Sequence, residues 1–175
     1  MDIITQLAAF DGKHTDSLER LVKHLSPDVK LIRTLCEIAN QDDAKFQTAA
    51  TWLLKRFQEN GVAFSPVQVG CHLKLLYYVT HWEAKLHLLQ MLPNFAIPTE
   101  QRDALHRFLK RSLGDKNKLV RAWSYNGLIE LAEQYSELRS EVSELLEIGQ
   151  REESASVRAR IRNRLKTVQW EDFTL

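Results

Sequence analysis

The residues that could do chemistry in this 175-residue chain are few, and their spacing decides which of them can act together. The six histidines are scattered, and none stands in a His-x-x-x-His, His-Glu or Cys-x-x-Cys arrangement. Zinc or iron therefore finds no obvious site, and neither a metal nor a cofactor is expected. Cys71 and His72 are adjacent, but neighbours on a helix point about 100° apart, which argues against a nucleophile–base dyad. The expected arrangement is a core cysteine beside a surface histidine. No glycine-rich phosphate loop is present. The conspicuous charge feature is the run Arg158, Arg160, Arg162, Arg164 and Lys166. Steps of two residues turn a helix by about 200°, so Arg160 and Arg164 share one side and Arg158 and Arg162 the other. With Lys55 and Arg56 such a run could contact phosphates.

The elements that position these residues must come from an ordinary globular composition, 44% apolar and 27% charged. The net charge of +1 supplies no global field toward nucleic acid or membrane. No apolar run approaches the length of about 18 residues that spans a bilayer, and Met1 leads into Asp2 rather than a leader sequence, so a cytoplasmic protein with no membrane association is expected. Cys36 and Cys71 have apolar neighbours and suit reduced core thiols.

Helical spacing dominates. Helices are predicted near 2–10, 16–25, 28–39, 43–59, 66–79, 82–92, 99–113, 117–134, 137–149 and 155–167, and no segment alternates as a strand. Ser26-Pro27 and Ser65-Pro66 read as N-caps followed by proline at the first helical position. Gly61 and Gly114 read as helix-ending residues, and Asp16 with Glu19 as a capping box. Leu31/Leu35 with Phe46/Ala50/Leu54 reappear as Val69/Leu73 with Ala84/Leu88/Leu92, as Leu105/Leu109 with Val120/Ser124/Leu128, and as Val142/Leu146 with Val157/Ile161/Leu165. The offsets between Phe46, Ala84, Val120 and Val157 are 38, 36 and 37 residues. A two-helix unit recurring four times buries its apolar face against its neighbours. The fold expected is all-α, a right-handed α-α superhelix of about four hairpins, with residues 1–26 as an N-terminal capping hairpin and 27–175 as the repeats in a single continuous domain. Pro93 to Pro98 is the one internal linker.

The best-preserved unit, running from Asp115 through Val120, Arg121, Ser124, Gly127 and Leu128 to Leu131, resembles a HEAT repeat. The family's second helix opens with an aspartate six residues before an arginine, as Asp115 stands before Arg121. Glu152 and Arg158 keep that spacing in the next unit, whereas the first two units carry Gln41/Gln47 and Val79/Lys85. The resemblance, which covers about residues 27–167, implies that Asp115, Arg121, Glu152 and Arg158 form a ladder between repeats. It also implies that the second helices line a concave groove and that the protein is an adaptor or scaffold.

Counting from the Phe46/Ala84/Val120/Val157 column, positions 3, 6 and 10 fall away from the core. They hold Ala49, His87, Trp123 and Arg160; Trp52, Gln90, Asn126 and Asn163; and Arg56, Asn94, Glu130 and Thr167. Aromatic, amide and basic groups suit recognition, so Trp52, Arg56, His87, Gln90, Trp123, Asn126, Arg160 and Asn163 are the candidate ligand-binding residues. Trp52 and Trp123 could equally pack between adjacent second helices, and the arginine run could serve only to keep the terminal repeat solvated. The expected function is non-catalytic: a monomer binding another protein or peptide. Nucleic-acid binding is the alternative. HEAT-like alkylpurine DNA glycosylases also share the residue types Trp52, Trp123, Glu130, Arg56 and Arg160.

Overall fold

Apolar residues recur at the helical period along the whole chain, and the computed structural model, which describes residues 2–168 and 170, is all-helical among those residues. The helices are α1 (Ile3–Ala8), α2 (Asp16–His24), α3 (Val29–Ala39), α4 (Ala44–Glu59), α5 (Pro66–Tyr78), α6 (Trp82–Met91), α7 (Thr99–Ser112), α8 (Lys118–Gln134), α9 (Arg139–Glu152) and α10 (Ala155–Leu165). Single 3₁₀ turns follow α6 at Leu92–Asn94 and precede α9 at Ser136–Leu138. These limits lie within three residues of those predicted. No described helix is long and apolar enough to cross a membrane.

The helix ends show where local rules compete. Ser65 accepts from the backbone N–H of Gln68 while the Gln68 side chain accepts from the Ser65 N–H, a complete capping box with Pro66 at the first helical position. The similar Ser26-Pro27 does not cap α3. Asp28 does so instead, accepting from Leu31 N–H at 2.7 Å, since it is a carboxylate, the stronger acceptor, and stands two residues nearer the helix. Asp16 lies inside the first turn of α2 and caps nothing, and its expected partner Glu19 pairs with Arg56. Gly61 ends α4 in the left-handed region at φ 89°, which only glycine enters freely. Gly114 does not adopt that conformation, and α7 ends in ordinary right-handed turns.

The chain divides into two compact units, Met1–Phe95 and Ala96–Leu175, with the boundary inside the predicted linker. In the first unit α3–α4 and α5–α6 are successive hairpins, with α3 on α5 and α4 on α6. α1 and α2 lie against α4 and bury Leu7, Phe10 and Leu18. Between the second helices the repeat columns Ala50, Leu54, Phe57 and Ala84, Leu88, Leu92, Phe95 are all buried. Phe46, at the edge, is half-buried. Each fully buried leucine contributes roughly 2 kcal/mol relative to exposure.

In the second unit α8 packs against α7, α9 and α10, and Val120, Ser124, Leu128, Leu131, Val157 and Ile161 form the same columns. The buried Ser124 hydroxyl is satisfied within its own helix by the Val120 carbonyl at 2.8 Å. A glycine in mid-helix permits one close approach. A Cβ at Gly149 of α9 would stand 2.7 Å from Cζ of Tyr125 on α8. Any larger residue must push the ring away.

Candidate functional site

In the second unit the repeat register sets equivalent residues of α8 and α10 side by side. Trp123 follows Val120 by three residues and Arg160 follows Val157 by three, and both valines are fully buried. The Arg160 guanidinium carbon lies 3.6 Å above the centre of the Trp123 ring, a face-on stack at van der Waals distance. Asn126 and Asn163 come one turn further along the same two helices. Asn163 is exposed, while Asn126 is only 4% exposed and donates to Glu130 Oε1 at 3.3 Å.

Two arginines one turn apart on α10 have opposite circumstances. Arg164 Nε donates to Glu130 Oε1 at 2.7 Å, and a second guanidinium nitrogen binds Glu133. Burial works against its charge, but Glu130 and Glu133 outweigh burial and raise its pKa. Arg160 has no such compensation. Its Nε is buried without a partner, and among the described residues none accepts a hydrogen bond from its guanidinium. Burial alone acts on it and lowers its pKa. Trp123 thus holds the plane of a cation that meets no carboxylate among the described residues.

The predicted groove residues of the first unit are occupied differently. Trp52 and Gln90 are half-buried on α4 and α6. Arg56 is 3.4 Å from Glu19 and 3.3 Å from Glu59, and Lys55 reaches Glu59 at 2.5 Å. His87 does not face an open groove. It is 8% exposed in the α4–α6 contact, with Nδ1 3.1 Å from the Thr51 hydroxyl oxygen. That hydroxyl donates to the Gln47 carbonyl at 2.7 Å, so it accepts from His87, which fixes the Nδ1–H tautomer. Burial, reinforced by Lys55, pushes the His87 pKa down to about 4.

The ladder positions form bridges, one of them between Arg121 and Asp115 as the spacing suggests. Arg121 donates to the backbone carbonyl of Asp115 at 2.9 Å, while the Asp115 carboxylate accepts from Asn117 N–H at 2.8 Å. The rest of the Arg121 fork grips Glu153, not Glu152, at 2.8 and 3.1 Å. Arg158 accepts at its carbonyl from the Gln150 side chain, which also accepts from Arg162.

Gln47 makes the equivalent bridge in the first unit. Its Nε2 donates to the Gln41 carbonyl at 2.9 Å, and its Oε1 accepts from Thr80 and His81 N–H, both at 3.0 Å. It is 1% exposed. A search for acid–arginine pairs overlooks it, although Gln47 stands in the column of Arg121.

The Cys71–His72 pair is the reverse of expectation: Cys71 is exposed and His72 fully buried. His72 Nε2 donates to the Leu88 carbonyl at 3.0 Å, and the ring packs edge-on against Phe95 at 4.8 Å. That carbonyl is open because the N–H of Leu92 turns to Leu89 as α6 tightens into its 3₁₀ turn. Among the described residues no group of three His, Cys, Asp or Glu could hold a metal ion. No protein-family model matches the chain, and no curated protein or solved structure matches it significantly.

Proposed function

We propose that this chain is a HEAT-like repeat protein, each unit a stack of such hairpins, which acts as a non-catalytic interaction module. The docking surface is the α8–α10 face of the second unit, carrying Trp123, Arg160 and Asn163, and the occupant is a segment of another protein. The observation that carries this reading is the Arg160–Trp123 stack with its unused guanidinium edges. Tryptophan and arginine dominate protein interfaces because they combine area with directed hydrogen bonds.

The nucleic-acid alternative needs several free cations along one path. Of the cations that would supply them, Lys55, Arg56 and Arg164 are paired with carboxylates, while Arg158 and Arg162 fall on the other side of α10 from Arg160. The glycosylase-like reading needs an available carboxylate, and Glu130 is taken up by Arg164 and Asn126.

Affinity capture from the source cells tests the proposal, with Trp123→Phe and Arg160→Ala compared against the unaltered chain. The expected result is loss of a partner protein in both variants, with circular dichroism and melting behaviour preserved. Undiminished capture by both folded variants would remove this face from consideration.

A further inference from the structure

We infer that the α8–α10 face recognises the carboxylate of an aspartate or glutamate side chain within an extended peptide segment, gripped at the edge of Arg160 while Trp123 holds the guanidinium plane. This inference rests on the docking reading above and names the chemistry of its occupant.

A guanidinium presents its donors in a rigid planar fork that matches a carboxylate with two parallel hydrogen bonds. A fork free to rotate loses orientation when it binds; one stacked at 3.6 Å on an indole has its plane set beforehand. Its faces and edges are then divided between two tasks. The tryptophan takes a face, and the terminal Nη edge meets the ligand, since Nε is buried. The partly buried site strengthens a charge-assisted bond made there. A bound carboxylate also supplies the counter-charge that Arg160 lacks and Arg164 has in Glu130 and Glu133.

The neighbouring charges select a monoanion over phosphate. Glu130 and Glu133 stand one helical turn away through Arg164, so a dianionic group meets more repulsion there than a single carboxylate. A nucleic-acid backbone would need further unpaired cations in line; Arg164, the next on the same side of α10, is already neutralised, and Arg162 turns to the other side. Asn163 favours a chain running past the site rather than ending in it. Its side-chain oxygen accepts from Lys166 at 3.3 Å, which leaves its amide N–H groups, exposed one turn beyond Arg160, for a backbone carbonyl of the same peptide.

The test is a nitrogen-15 NMR titration of the full chain with capped peptides acetyl-Gly-Ser-Leu-X-Leu-Ser-Gly-amide, where X is Glu, Gln or phosphoserine. A fourth peptide has X as Gln and a free C-terminus. The Glu peptide should move the Arg160 Nε–H and Trp123 indole signals saturably. The Gln peptide should bind about tenfold more weakly, the loss expected when a charged hydrogen-bond acceptor is replaced by a neutral one. Arg160→Lys, which keeps the charge and loses the fork, should weaken the Glu peptide by about fivefold or more.

Equal binding of the Glu and Gln peptides, tighter binding of the phosphoserine or free-terminus peptide, or no saturable shift at about 10 mM Glu peptide would each overturn the inference. Partner capture that depends on Trp123 but survives Arg160→Lys would overturn it while leaving the interaction-module reading intact. Loss of that reading would instead show as capture insensitive to both Trp123→Phe and Arg160→Ala.

Discussion

His72 closes the end of α6: its Nε2–H donates to the Leu88 carbonyl at 3.0 Å, while its other ring nitrogen is buried without a partner. Protonation would place a second N–H, and a charge, where nothing accepts it. Burial therefore pushes the His72 pKa down to about 4, against the ordinary 6.5.

The consequence is acid sensitivity of the first unit. Because the folded pKa lies below the unfolded one, the unfolded chain takes up the proton first as pH falls. The contribution of neutral His72 is full above about pH 6.5 and is lost as pH drops toward 4, a change on the order of 3 kcal/mol. His87, pushed down to about 4 by burial, acts in the same direction and window. Urea midpoints between pH 7 and 4 should fall steeply for the unaltered chain. They should fall less for His72→Gln, which can donate to Leu88 but does not titrate.

Gln47 should be costly to replace by an apolar residue of similar size. Gln47→Leu leaves the Gln41 carbonyl and the Thr80 and His81 N–H groups without their side-chain partner, which predicts a loss of about 2 kcal/mol. Chemical denaturation should show a lower midpoint with an unchanged slope.

Gly149→Ala should destabilise the second unit by about 1–3 kcal/mol, since the added carbon would sit 2.7 Å from the Tyr125 ring. Removing the ring in Tyr125→Leu opens that space. The double variant should cost clearly less than the two single losses together, and strict additivity in a thermal-melt cycle would show that the contact does not set the cost.

The two thiols should react unequally. Cys36 is buried, and burial pushes its pKa up to about 12, whereas Cys71 is exposed. An aromatic disulfide reagent at pH 8 should consume one thiol per folded chain and two after denaturation. Alkylation mapped by mass spectrometry should place the first at Cys71.

Helix positions were legible in the sequence because each helix repeats a short apolar period, and the core columns because the hairpins repeat a long one. Local competition was not. The choice of Asp28 over Ser26 as a cap turns on where, within two residues, the chain enters the helix. The inversion of Cys71 and His72 turns on a carbonyl opened sixteen residues away. The candidate site was legible as residue types at register positions, so Trp123 and Arg160 could be placed on one face. The stack between them, and the carboxylates that satisfy Arg164 but not Arg160, join residues 31 to 37 apart and depend on helix packing that no local pattern encodes.

The bridges made by Gln47 and Arg121 also act as a gauge of repeat length. Each ties a carbonyl six residues behind it to a turn one hairpin ahead, 33 to 34 residues on for Gln47 and 32 for Arg121. A residue gained or lost within that span would slide the receiving groups past the side chain that meets them. The number of residues between the bridged groups is thereby metered, which holds the 38-residue offset between the first and second repeats and the 37-residue offset between the third and fourth along a chain whose repeats otherwise share little.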